Sequence, residues 1–166
     1  MVKTTTKPLP NDRLDFGPFS NPVRAFFEDY RVRTVGLLQL VTPRQLKNTH
    51  NVGPKRLASV VNYLAPDGLR LRGDTERFGG RLHEVYGDGK NAPVEAFYLC
   101  LQDPTVPVLN VERLVNNLRD GGITTLGQFY RIRAKSGSVS RYFSGIRHDI
   151  SEVRWMQGWL AGVFSP

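Results

Sequence analysis

Cysteine is almost missing from this chain. Cys100 is the only one in 166 residues, so no intramolecular disulfide can form and no thiol pair is available to hold zinc. That usage fits a reducing cytoplasm. Histidine is equally sparse: His50, His83 and His148 stand far apart, with no HExxH spacing and no acidic residues at ligand distance, which leaves nothing from which to build a catalytic metal centre. Asp74, Glu76 and Asp88 come nearest to an acidic ligand set, yet they sit in glycine-rich, turn-like sequence. There is no Walker P-loop and no dinucleotide-binding fingerprint, so nucleotide hydrolysis and hydride transfer have no support. No uninterrupted apolar run approaches the ~20 residues of a membrane span, and the N-terminus lacks the apolar core of a secretory signal. These absences predict a soluble intracellular protein that is not an enzyme, takes no cofactor and no metal, and has no membrane partner.

What the chain has is positive charge, unevenly spread. The net +8 divides into +7 for residues 1–72, −3 for 73–110 and +4 for 111–166. Two basic blocks flank an acidic one. Such blocks favour a polyanionic partner, because neutralising phosphates releases counterions and dominates non-specific nucleic-acid affinity. The plainer alternative is a solvated basic surface.

The most informative stretch is residues 34–71. Asn51-Val52-Gly53 reads as a tight turn whose glycine takes positive φ, and Pro54 suits the first position of a helix, where a missing N–H costs nothing. Lys55 and Arg56 follow at once. A helix N-terminus carries unpaired N–H groups and partial positive charge, so Gly53, Lys55 and Arg56 together are expected to hold a backbone phosphate without reading a base. A solvated lysine is the alternative reading of Lys55. Val52, Leu57, Val60, Val61 and Leu64 recur at helical spacing and predict a face on the core.

Several residues here match a known family. Val35-Gly36-Leu37-Leu38, Thr42, Leu46, Asn51-Val52-Gly53-Pro54-Lys55 and Gly68-Leu69-Arg70-Leu71 fall in gapless register with the C-terminal domain of the bacterial RNA polymerase α subunit. Residues 35–72 resemble that domain, a compact pair of helix-hairpin-helix units that binds DNA. The resemblance implies minor-groove contacts from an arginine and an asparagine on the first helix, together with the glycine-lysine hairpin. Here the arginine position falls on Pro22, with Arg24 as the nearest substitute, and the asparagine position falls on Ala25.

A second copy follows. Shifting the chain by 91 residues lays Val32-Arg33-Thr34-Val35-Gly36 on Ile123-Thr124-Thr125-Leu126-Gly127, and Phe27 on Leu118. The later copy places Arg113 and Asn116 on the two contact positions that the first lacks. Its second hairpin is less regular, with Gly145-Ile146-Arg147-His148 fitted by one insertion, which makes Arg147 a further candidate contact. Arg113 and Asn116 share one helix face from which an arginine could enter a narrow minor groove. A surface arginine and a polar helix residue are the alternative.

Along the chain, helices are predicted over residues 22–30 (capped by Ser20 or Asn21), 35–40, 43–48 (begun by Thr42), 54–65, 93–102, 111–120 and 152–163. Residues 1–12 read as a flexible tail, 13–72 as the first helix-hairpin-helix domain, and 73–92 as a Gly-rich linker or insertion with a short β-hairpin over 81–86. Residues 93–166 read as a second, divergent domain. The basic run Arg131, Arg133, Lys135, Arg141 and Arg147 is interleaved with Tyr130, Tyr142 and Phe143, a mix that can track phosphates and stack bases, although Tyr142 and Phe143 are more often core residues. Trp155 and Trp159 lie one turn apart, with at least one expected in the core and the other free to act as a partner anchor. The expectation is an all-α protein with two small helix-hairpin-helix domains, non-catalytic, transcription-associated, binding duplex DNA and nucleoid-associated in the cytoplasm. Two alternatives stand beside it: a docking module for RNA polymerase or a transcription factor, and a DNA-binding accessory piece of a repair or processing complex.

Overall fold

Short helices with well-marked starts build this protein. The computed structural model describes residues 7–100, 111–132, 142 and 150–165. Among these the regular structure is helical, with two isolated antiparallel β-bridges, Arg13 with Thr34 and Pro93 with Thr125. The chain divides into two compact units, Met1–Glu76 and Arg77–Pro166.

In the first unit, α1 (Asn21–Asp29) buries Val23, Phe26 and Phe27, which fall at helical spacing on one face. Ser20 takes the N-cap position, but its hydroxyl makes no cap bond and lies buried without a hydrogen-bond partner. Phe27 is the hub of an aromatic cluster, with Phe16 at 5.4 Å and Phe19 edge-on at 5.1 Å. Arg31, at φ 54°, turns the chain so that the Val32 N–H donates to the Phe27 carbonyl at 2.8 Å. Thr34 then caps α2 (Val35–Leu38), its hydroxyl accepting from the Leu37 N–H. Thr42 and Gln45 form a reciprocal capping box on α3 (Pro43–Lys47), and the Asp74 carboxylate accepts from the Arg44 N–H at 2.9 Å. α4 (Pro54–Leu64) runs into a single 3-10 turn (Ala65–Asp67) stopped by Gly68 at φ 70°.

The second unit opens with α5 (Phe78–Tyr86), followed by 3-10 turns at Gly89–Asn91 and Val94–Ala96. Then come α6 (Phe97–Cys100), α7 (Val111–Asp120), α8 (Leu126–Arg131) and α9 (Ile150–Phe164). Leu82, Val94, Phe97, Leu114, Leu118, Phe129, Val153, Met156 and Leu160 form its core. α9 packs on α5 and α8.

The 91-residue shift aligns hydrogen bonds as well as letters. Val32 N to Phe27 O in the first unit corresponds to Ile123 N to Leu118 O in the second, each 2.8 Å. Positive φ at Arg31 matches Gly122 at 82°. The Thr34 cap on α2 matches the Thr125 cap on α8, where Gln128 completes the box. The bridge that closes each unit is also shared, Leu14 N to Arg33 O against Val94 N to Thr124 O, but its leading segment is displaced by 80 residues rather than 91. In aligned register (91 − 80), eleven additional residues therefore lie between the bridge and α7, the counterpart of α1, in the second unit.

Several expectations are corrected. Residues 10–12 are not a tail: the Pro10 and Asp12 carbonyls accept from Gly36 and Val35 at 2.8 and 2.9 Å, pinning them to α2. The first unit closes at Glu76, not at residue 72, because Glu76 forms a bidentate pair with Arg70 and also accepts from the Gly73 N–H. Residues 73–92 are not a linker, and 81–86 are not a β-hairpin; they carry α5, with Leu82 wholly buried and Arg81 only 3% exposed. Gly79, read from sequence as loop punctuation, lets the α5 backbone press against Val163 of α9. The helix expected over 93–102 begins as a 3-10 turn before α6. Neither tryptophan is core: Trp155 is 42% exposed and Trp159 half-buried, while Val153, Met156 and Leu160 take the inward positions. Tyr142 is half-buried, and Phe143 lies outside the described residues.

Adjacent glycines of α5 test this packing. An added Cβ on Gly79 would collide with the Val163 backbone, whereas one on Gly80 meets nothing within 4 Å. Gly79→Ala should destabilise by about 1–3 kcal/mol through overpacking, and Gly80→Ala should stabilise by up to ~1 kcal/mol through helix propensity. Urea unfolding of the two variants measures both signs.

Candidate nucleic-acid interface

From residue 30 to residue 66 the chain carries six Lys or Arg and no Asp or Glu. α3 and α4 lie within this stretch. The turn between them is held from inside: the Thr49 N–H donates to Leu46, the Val52 N–H to Thr49 and the Thr49 hydroxyl to the Gln45 carbonyl, while Val52 is 6% exposed and anchors the loop. His50, Asn51, Gly53, Pro54, Lys55 and Arg56 are then left on the surface.

The residue that makes this turn left-handed is Asn51, at φ 64°, and not Gly53. Gly53 is the N-cap of α4 with φ −90° and ψ −176°, ordinary extended backbone, and a Cβ there would meet nothing within 4 Å. Asparagine tolerates the left-handed region better than other side-chain-bearing residues, so it can do what the sequence assigns to the glycine. Of the predicted core face of α4, Val60 and Leu64 are buried, Leu57 is half-buried and Val61 is 45% exposed.

At the helix start Gly53 has no side chain to cap with and Pro54 has no N–H, so the amides of Lys55 and Arg56 point into solvent without an acceptor among the described residues. Lys55 is exposed and unpaired there, while the Arg56 guanidinium folds back onto the Asn51 carbonyl. The contrast with α3 is informative. There the N-terminus is closed by Thr42, Gln45 and the Asp74 carboxylate. At α4 a cation stands where the helix dipole disfavours it and no acid compensates it.

Arg24 is differently placed. Its Nε and Nη2 donate to the Phe16 and Gly17 carbonyls, both at 3.0 Å, so its guanidinium clasps the loop ahead of α1. Arg113 and Asn116 are both exposed on α7. On the same helix, Arg119 makes a bidentate pair with Glu95 at 2.6 and 2.8 Å, removing one cation from the available field. Their counterparts on α1 are Pro22 and Ala25, which carry no charge. The structure thus gathers Gly53, Lys55 and Arg56 at one helix end, gathers Arg113 and Asn116 on another helix, and commits Arg24 to its own loop. Arg147, Arg133, Lys135 and Arg141 lie outside the described residues.

No group of His, Cys, Asp or Glu that could hold a metal occurs among the described residues. The acidic residues that came closest are structural, Asp74 on α3 and Glu76 on Arg70. No described helix is long and apolar enough to cross a membrane. Sequence reasoning missed the Asp74 cap, since a partner 30 residues away leaves no local signal. Comparisons with protein families, curated proteins and solved structures give no match.

Gly53→Ser places a hydroxyl where it can accept from the bare α4 amides in a backbone conformation serine readily adopts. The variant should match or exceed the parent by about a few tenths of a kcal/mol, the difference between serine and glycine at an N-cap. Asn51→Val should instead lose about 1–2 kcal/mol, the cost of a left-handed conformation for a β-branched residue. Chemical unfolding of both variants locates the strained residue of the turn.

Proposed function

We propose that this all-α protein is a non-catalytic, transcription-associated module that binds duplex DNA through helix-hairpin-helix units like those of the RNA polymerase α C-terminal domain. The observation that carries the reading is the bare, cationic start of α4. Two backbone amides without acceptors and a Lys55 without an ion pair among the described residues, in an acid-free stretch of sequence, make a place for a phosphate. The repeated helix, left-handed turn and Thr-capped helix in both units supports a tandem arrangement. Arg113 and Asn116 on the second copy are the residues suited to a groove edge, and Gly53, Lys55 and Arg56 on the first are suited to the backbone. Phosphate contacts fix position without reading sequence, so the binding is broad in specificity.

A second reading is a docking module for RNA polymerase or a transcription factor. Pro22 and Ala25 at the contact positions, Arg24 clasping its own loop, and Trp155 at 42% exposure on α9 favour it. Tryptophan is a frequent interface anchor.

Titrating a labelled duplex at several salt concentrations decides between them. DNA binding through about three to five phosphates gives a log–log salt slope of roughly −3 to −4.5, and absence of binding at low salt promotes docking. Gly53→Ser should weaken duplex binding although it does not weaken the fold, because the new hydroxyl competes with phosphate for the same amides. Lys55→Ala should weaken A·T-rich and G·C-rich duplexes alike. Changing both Arg113 and Asn116 to Ala should erase any A·T preference, since narrow A·T grooves attract arginine.

A further inference from the structure

In the first unit a cleft of about 450 Å³ opens beside the β-bridge, lined by Arg13, Leu14, Asp15, Phe16, Glu28 and Arg33. It is distinct from the start of α4 and contains none of Gly53, Lys55, Arg56, Arg113 and Asn116. Leu14, 5% exposed, belongs to the core beneath it. Phe16 is half-buried and braced by Phe27 at 5.4 Å. Arg13 and Arg33 both line the cleft and stand on the two facing segments, where the bridge pairs Arg13 with Thr34 and the Leu14 N–H donates to the Arg33 carbonyl.

Both guanidinium groups are exposed, and neither makes a side-chain hydrogen bond or ion pair among the described residues, although two carboxylates line the same cleft. Asp15 is partly committed, its Oδ1 accepting from the Gly17 N–H at 2.9 Å. Glu28 is exposed and likewise unpaired. The cleft thus combines two unpartnered planar cations, a braced aromatic ring and one unpartnered carboxylate.

The geometry points to a site for an unpaired guanine nucleotide of a single-stranded nucleic acid. The base stacks on Phe16, its adjacent N1–H and N2–H₂ donors pair with the two oxygens of Glu28, and the phosphate is held by Arg13 and Arg33. Base stacking on an aromatic side chain and phosphate capture by arginine are the two recurrent components of single-strand binding. The carboxylate argues against a duplex here, since a phosphate wall would be repelled by it while the donor edge of a base is attracted to it. A phosphorylated peptide would satisfy the arginines but leave Phe16 and Glu28 without a purpose.

The test is fluorescence anisotropy with labelled single-stranded d(TTGGTT) and d(TTTTTT) on the full chain, alongside a doubly phosphorylated serine peptide, with melting curves for every variant. The parent should bind the guanine strand several-fold tighter than the thymine strand. Arg13→Ala/Arg33→Ala should weaken both strands by on the order of tenfold or more, while Arg77→Ala/Arg154→Ala, which removes equal charge from exposed positions in the other unit, should change them far less. Phe16→Leu, which keeps apolar bulk against Phe27, should cost roughly five- to tenfold through lost stacking. Glu28→Ala, which removes both acceptor oxygens, should abolish the guanine preference while leaving the thymine strand bound. Lys55→Ala should leave the guanine preference unaltered, so that failure of this site and failure of the duplex interface are distinguishable. The proposal is overturned if the folded parent binds neither strand, if the two double-arginine variants behave alike, if Glu28→Ala keeps the preference, or if the phosphopeptide binds more tightly than the guanine strand.

Discussion

A pair of backbone hydrogen bonds ties each unit together. In the first, Leu14 donates to Arg33 and Val35 donates to Asp12; in the second, Val94 donates to Thr124 and Leu126 to Ala92, all within 2.9–3.0 Å. These bonds fasten an extended leading segment across the turn that joins two helices. Without them the turn would expose amides and carbonyls at its most sharply bent point. With them, the Thr34 and Thr125 side chains are set to cap α2 and α8. In the first unit the same bridge sets Arg13 beside Arg33. Packing, capping and a surface cleft thus descend from one local pairing.

Charge is organised by what the acids are occupied with rather than by their number. Asp74 closes the start of α3, Glu76 holds Arg70 and Glu95 holds Arg119. Exposed pairs such as these contribute little to stability individually, but they remove cations from the surface field and leave others uncompensated. The start of α4 is left in that state, with Lys55 facing solvent beside amides that have no cap. Between residues 30 and 66 no acid is present to neutralise it. The proposed duplex contact follows from this distribution, and net charge alone would not locate it.

The two units share a helix, a left-handed turn and a capped helix, yet they diverge around that core. The first unit continues into α3 and α4 with an open, basic helix start. The second is built on α5 and α9, where Gly79 permits a close backbone approach and Gly127 lets α8 settle against Lys90. Arg113 and Asn116 stand on α7 where α1 has Pro22 and Ala25. The repeated frame therefore carries unequal surfaces in the two units.

Local periodicity and capping chemistry were legible in the amino-acid sequence alone. The apolar spacing of Val23, Phe26 and Phe27, the helix start at Thr42, the Gly68 stop and the 91-residue correspondence all involve neighbours within a few residues or a direct repetition. Exposure of Lys55, Arg113 and Asn116 was legible too, because long charged and amide side chains are mostly found at the surface. What only the tertiary structure decided depends on residues distant in sequence. Gly79-Gly80 read as linker because glycine has no side chain to show a periodicity, and only the approach of Val163 reveals a helix crossing. Asn51 rather than Gly53 carries the left-handed turn because the anchoring of Val52 beneath it sets which residue bends. Arg24, half-buried, is committed to the Phe16 and Gly17 carbonyls, and Asp74 caps a helix begun about 30 residues earlier. Hydrogen bonds and close contacts of this kind are chosen by the folded chain as a whole, since each group takes whichever partner the packing brings within reach.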